Sequence, residues 1–141
     1  MEYSKNGLSL TEQFESCRLT AYPDSKGVPT IGWGHTAGVY PGQTITQEQA
    51  DDFLMADVQN AVAHVNNLVH IQLTQNEFDA LVDFAFNCGC GAFASSTMLR
   101  LLNAGNITGA AYEFQRWDKA DGTVVAGLLR RRIAESTEFQ S

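Results

Sequence analysis

The chain has 141 residues, of which 44% are hydrophobic and 18% charged, and its formal net charge is −7. That length favours one domain with a real core, and that composition excludes a disordered chain. The acidic balance excludes polyanion binding as the main task, because phosphate neutralisation needs clustered Lys and Arg.

No window holds eighteen consecutive apolar residues, which excludes a transmembrane span. The opening Met1–Gly7 has no apolar core of a signal peptide. The expectation is a chain made in the cytoplasm without a signal peptide and never stably inserted in a membrane. Cys17, Cys88 and Cys90 are an odd number, against a disulfide framework, and read as buried free thiols in a reducing compartment. Three scattered histidines, His35, His64 and His70, have no ligand spacing, so no metal site is expected.

In chain order, residues 5–16 read as a helix with Leu8, Thr11, Phe14 and Glu15 near one face. The character changes over 18–40. Tyr22-Pro-Asp-Ser-Lys-Gly27 is a turn cluster and Thr30-Ile-Gly-Trp33 a strand, together a small antiparallel sheet. Thr46-Gln-Glu-Gln49 is a capping box that opens a helix to about Asn67, with an apolar stripe from Ala50 through Val58 to Val65. Thr74-Gln-Asn-Glu77 is a second box, followed by a strongly apolar helix that stops at Cys88-Gly-Cys-Gly91. Ser95 or Ser96 caps a short helix ending near Gly105, another runs from about Thr108 to Trp117, Ala120-Asp-Gly122 is a turn, and Val125–Phe139 is the last helix. The fold class is therefore α+β, mostly α. A small sheet that cannot stand alone and a helical body around the 77–87 helix make two lobes within a single domain, 1–141, and their junction is a natural cleft.

One constellation carries chemistry. Glu15 ends the first helix, Asp24 follows nine residues later in the turn, and Thr30 six residues after that in the strand. An acid, a carboxylate and a small hydroxyl in one cleft are the parts needed to cut a glycosidic bond. As the general acid, Glu15 must hold a proton near neutral pH; burial and the negative end of a helix both favour that. Asp24 would stay ionised in its polar turn, where Asp is also favoured for conformation alone.

These residues, with the run Thr30-Ile-Gly-Trp-Gly-His35, resemble the phage-type lysozymes, or endolysins, of glycoside hydrolase family 24. Gln75–Gly91, Ser95–Gly105, and Trp117 with Gly127-Leu-Leu-Arg-Arg-Arg-Ile-Ala-Glu135 resemble the later segments of the same family, so the likeness covers nearly the whole chain. The resemblance implies a lysozyme-like fold and an N-acetylmuramidase that hydrolyses the β-1,4 bond between N-acetylmuramic acid and N-acetylglucosamine in bacterial peptidoglycan. It also implies inversion, with water held by Asp24 and Thr30, and carboxyl groups roughly 6.5–9.5 Å apart. No cofactor is implied. A monomer, reaching the cell wall after release by a separate holin-type partner, is the corresponding expectation; the protein would lyse the host of a phage.

The departures are specific. The chain is acidic where many relatives are basic. Phe14 precedes Glu15 where some relatives carry an acid, and the apolar tether of other relatives is missing.

Around the constellation, Trp33, Phe86 and Asn87 are candidate substrate-binding residues, Asn87 as a sugar-contacting amide. His35 is read as ending a strand and pairing with a carboxylate of the helical body. Arg131 or Arg132 is expected to stand behind the cleft and hold a carboxylate there, since a cation against Glu15 would oppose its work as an acid; a solvated charged face is the other reading. Trp117 is assigned to the core. Two other functions fit the same elements: a lytic transglycosylase, disfavoured by the presence of both Asp24 and Thr30, and a non-catalytic peptidoglycan-binding module on the same fold.

Overall fold

The computed structural model describes residues 1–141. The chain divides into two compact units, one made of Thr11–Gln59 and the other of Met1–Leu10 with Asn60–Ser141.

The first unit holds the sheet. Helix α1 spans Lys5–Phe14, and its last turn enters this unit. It stops two residues short of the sequence reading, leaving Glu15 in a bend whose amide donates to Glu12 O at 3.3 Å. Strand β1 (Arg18–Pro23) pairs antiparallel with β2 (Pro29–Gly32) in the register Tyr22↔Thr30 and Pro23↔Pro29, with an irregularity between Arg18 and Tyr22. The other edge of β1 is covered by a bridge, Thr20↔Thr44. Helix α2 (Gln47–Asp57) begins at Thr46, whose hydroxyl accepts from the Gln49 amide while the Gln49 side chain accepts from the Thr46 amide. It packs on β2 at Gly32. There φ is +62°, and a β-carbon would stand 3.2 Å from the Ala50 methyl, so both backbone conformation and space favour glycine.

The helix predicted from Thr46 to Asn67 is in fact two. It breaks at Val58, the C-cap of α2, and resumes as α3 (Gln59–Leu68). Val58 is fully buried, so the apolar stripe runs through the break uninterrupted and hides it from a periodicity count.

The second unit is built around α4 (Gln75–Cys88), whose residues Phe78 to Ala85 are all buried. Thr74 caps it in the predicted box. Gly89, with φ of 102°, ends it, and α5 (Cys90–Ala94) turns away. Ser96, rather than Ser95, caps α6 (Thr97–Asn103), and Asn106 caps α7 (Ile107–Glu113), which tightens into a 3₁₀ turn over Phe114–Trp117. Helix α8 (Ala126–Gln140) packs along α4. Phe84 centres an aromatic cluster, edge-on to Phe93, Phe114 and Trp117, the last at 5.5 Å. The Asp121-Gly122 turn carries an additional hairpin, β3 (Lys119–Ala120) with β4 (Thr123–Val124), where only a turn was expected. Both turn residues have positive φ, 51° and 78°, the backbone that an Asp-Gly pair supplies for a two-residue hairpin loop.

Candidate active site

The β1–β2 connection builds the polar end of the site. Asp24 Oδ1 accepts the amides of Lys26 at 2.8 Å and Val28 at 2.9 Å, an Asx-type turn that fixes the carboxylate by its own loop. The Asp24 amide donates back to Val28 O, and Gly27 N donates to Asp24 O, each at 2.9 Å. Thr30 is buried, and its hydroxyl also donates to Val28 O at 2.9 Å. One residue, Val28, thus ties the carboxylate and the hydroxyl into a single polar knot. Asp24 itself is half-buried, as is Glu15. All three members of the constellation, Glu15, Asp24 and Thr30, lie in the same compact unit.

Behind this end, Trp33 and His35 are anchored to α2. The Trp33 indole donates to Asp51 Oδ1 at 2.8 Å, and Gln47 donates to the same oxygen at 3.0 Å. His35 Nδ1 lies 2.9 Å from Asp57 Oδ2, and its ring stacks on Phe53 with centroids 4.2 Å apart and planes within 5°. His35 is therefore held on two sides, by a carboxylate and by a ring face. Burial, and next the Asp51 carboxylate, push the Glu12 carboxyl up from its ordinary range. Arg18 extends over the Tyr22 ring, 4.3 Å from guanidinium to centroid.

The remaining candidates belong to the second unit. Phe86 and Asn87 occupy the last turn of α4, half-buried and exposed respectively. Arg131 and Arg132 are not a solvated face. Both are buried, as are Asp83 and Glu135. Arg131 forms a bidentate pair with Asp83, Nε to Oδ2 at 2.9 Å and Nη2 to Oδ1 at 2.8 Å. Arg132 Nη2 donates to Glu135 Oε2 at 2.7 Å, while Nε and Oε1 sit 2.6 Å apart off the line of an aligned hydrogen bond. Arg132 Nη1 also meets the Cys88 thiol. Each buried guanidinium faces a buried carboxylate. Burial first, and Asp83 second, hold the Glu135 carboxyl well above the usual range.

Several of these partners escaped the sequence reading. Val28 has no polar side chain to betray it. Asp83 did leave a signal: with Asp79 it is an i, i+4 pair of carboxylates inside an otherwise apolar helix, which demands buried partners. Asp79 meets its demand at the other end of the helix, accepting from the Ser4 amide and hydroxyl and from Gln75. The three cysteines carry no disulfide and are half-buried rather than buried. No group of three or more His, Cys, Asp or Glu side chains is placed to hold a metal ion.

Residues 12–135 match the family model described as phage lysozyme. The chain belongs to the phage lysozyme family. It is 43% identical to the endolysin of Salmonella phage P22, covering all of this chain and 99% of that protein, and 47% identical to the endolysin of Bacillus phage PZA, of which it spans only 56%. Among solved structures, a P22 lysozyme mutant superposes with a TM-score of 0.93 at 42% identity, covering 100% of this chain and 99% of that one. The muramidase domain of SpmX from Asticaccaulis excentricus superposes with 0.92 at 42%, covering 99% and 98%. The fold is the lysozyme fold, and the chain is an endolysin-type lysozyme.

Proposed function

We propose that residues 1–141 act as one catalytic domain that hydrolyses the β-1,4 bond between N-acetylmuramic acid and N-acetylglucosamine in peptidoglycan, with Glu15, Asp24 and Thr30 as its catalytic residues. Glu15 donates a proton to the glycosidic oxygen as the bond from C1 breaks. Asp24 offers its second oxygen to a water molecule that Thr30 helps to hold. That water adds to C1 from the face opposite Glu15, gives up its proton to the Asp24 side, and leaves the anomeric carbon inverted.

The observation that carries this reading is the Val28 knot. It fixes the Asp24 carboxylate through one oxygen and puts the Thr30 hydroxyl on the same carbonyl, in a chain of the phage lysozyme family. A carboxylate locked by its own turn is arranged before substrate arrives, the condition under which electrostatic and positioning effects are largest. Trp33, Phe86 and Asn87 contact the sugars. His35 keeps the strand end in place, and Arg131 and Arg132 of α8 hold α4, the helix that carries Phe86 and Asn87. The protein works as a monomer on the cell wall, reaching it through a separate holin-type partner. No helix of the chain is long and apolar enough to cross a membrane.

Muropeptide analysis tests the whole reading. Digestion of purified sacculi should give muramic acid reducing ends, and Glu15→Gln should lower the rate by about 10²–10⁴-fold or more. A 1,6-anhydro product would make the protein a lytic transglycosylase. Binding to the wall with no product at all would make it a non-catalytic module.

A further inference from the structure

The Thr11–Gln59 unit contains seven acidic side chains and only two of Lys or Arg, Arg18 and Lys26. Arg18 forms no ion pair in spite of that surplus. It lies instead on the Tyr22 ring, exposed, with its guanidinium fork left to solvent. Tyr22 is the cross-strand partner of Thr30 and stands two residues before Asp24. Side chains of directly paired residues share one face of the sheet, and so do residues two apart on a strand. The stacked cation is therefore presented on the hairpin face that carries the Thr30 side chain, next to the turn that holds Asp24. A guanidinium pre-oriented on an aromatic face loses little freedom when it takes a carboxylate in two parallel hydrogen bonds.

We propose that Arg18, supported by Tyr22, is a specificity-determining residue that receives a carboxylate of the peptide stems borne on the muramyl sugars. This rests on the muramidase reading above. The stems are the anionic part of the proposed substrate nearest to the muramyl side of the scissile bond. For a protein of net charge −7, a single placed cation offsets local repulsion of an anionic stem.

The test compares wild type with Arg18→Gln on two walls, native sacculi and sacculi whose carboxylates have been converted to amides by carbodiimide and ammonia. On native wall Arg18→Gln should raise KM about threefold to tenfold, with kcat kept within about twofold. On amidated wall the two proteins should differ by less than about twofold, because the carboxylate that Arg18 would recognise is gone. Tyr22→Phe, which keeps the ring, should behave as wild type on native wall, and Tyr22→Leu should reproduce part of the KM rise. Equal KM values for wild type and Arg18→Gln on native wall, or the same rise on both walls, would overturn the assignment. A wild-type protein that cuts neither wall would instead bring down the muramidase reading, a result distinct from an active enzyme indifferent to Arg18.

Discussion

Asp24 and Thr30 meet at one atom: the Asp24 amide and the Thr30 hydroxyl both donate to the carbonyl oxygen of Val28, each at 2.9 Å. The loop that would orient the water is thus also the loop that closes the hairpin. Structure and chemistry can still be separated by substitution. Asp24→Asn keeps an oxygen able to accept from Lys26 and Val28, so the turn should survive with Tm within about 2 °C, while loss of charge should cut activity about a hundredfold or more. Asp24→Ala removes both bonds and should also cost about 1–2 kcal/mol of stability. Thermal melts alongside turnover decide this; an Asn variant that unfolds as readily as the Ala variant would show that Asp24 is structural alone.

The buried ion cluster gives a second expectation. Arg132→Met strips the buried Glu135 of its hydrogen-bond donor and should cost about 1–3 kcal/mol, measured by urea unfolding. Adding Glu135→Leu should recover most of that loss, since an apolar pair of similar bulk needs no compensation. A double variant as unstable as the single one would mean that the cluster holds the fold by shape rather than by hydrogen bonding.

Glu135 also gives the stability a pH dependence of definite sign. Its carboxyl is raised well above the ordinary range, first by burial and then by Asp83. The folded chain therefore holds that proton more tightly than the unfolded chain. The stability so contributed is complete below the ordinary carboxylate value of about 4.3, and is lost as pH rises through the raised value. Unfolding free energies of wild type minus Glu135→Gln should accordingly be largest near about pH 4 and fall toward neutrality and beyond. A difference that grows with pH contradicts the assignment.

Cys88 should be a sluggish nucleophile. Burial pushes its thiol up to about 11, against the opposing pull of Arg132. At about pH 8 only about one molecule in a thousand carries the thiolate. Iodoacetamide labelling of the native protein, read on the Cys88 peptide by mass, should climb about tenfold per pH unit for as long as the fold persists below that value. A rate that levels off near the ordinary thiol range would show that the guanidinium outweighs the burial.

What the sequence revealed follows the range of the interactions. Thr46 and Thr74 were legible as caps because each box closes within four residues. The hairpin that carries Asp24 in its turn and Thr30 in its second strand was legible because it closes within a few residues. Arg131 on Asp83, 48 residues apart, was not, since no local pattern distinguishes a buried guanidinium from a solvated one. The break at Val58 was missed because burial continues across it. The β3–β4 hairpin was missed for the opposite reason. Its strands are two residues long and exposed, so they have no alternating pattern to read, although Asp121-Gly122 carried the turn signal.

The division of the chain has a consequence for how it is made. Residues Met1–Leu10 are sewn to segments that follow the hairpin unit: the terminal amine to Asn66, the Glu2 carbonyl to Gln75, Ser4 to Asp79. A growing polypeptide therefore emerges with Met1–Leu10 unable to find their partners, while Thr11–Gln59 can settle using only neighbours already synthesised. On the ribosome the β1–β2 hairpin is ready early, and Met1–Leu10 are among the last residues to be tied down.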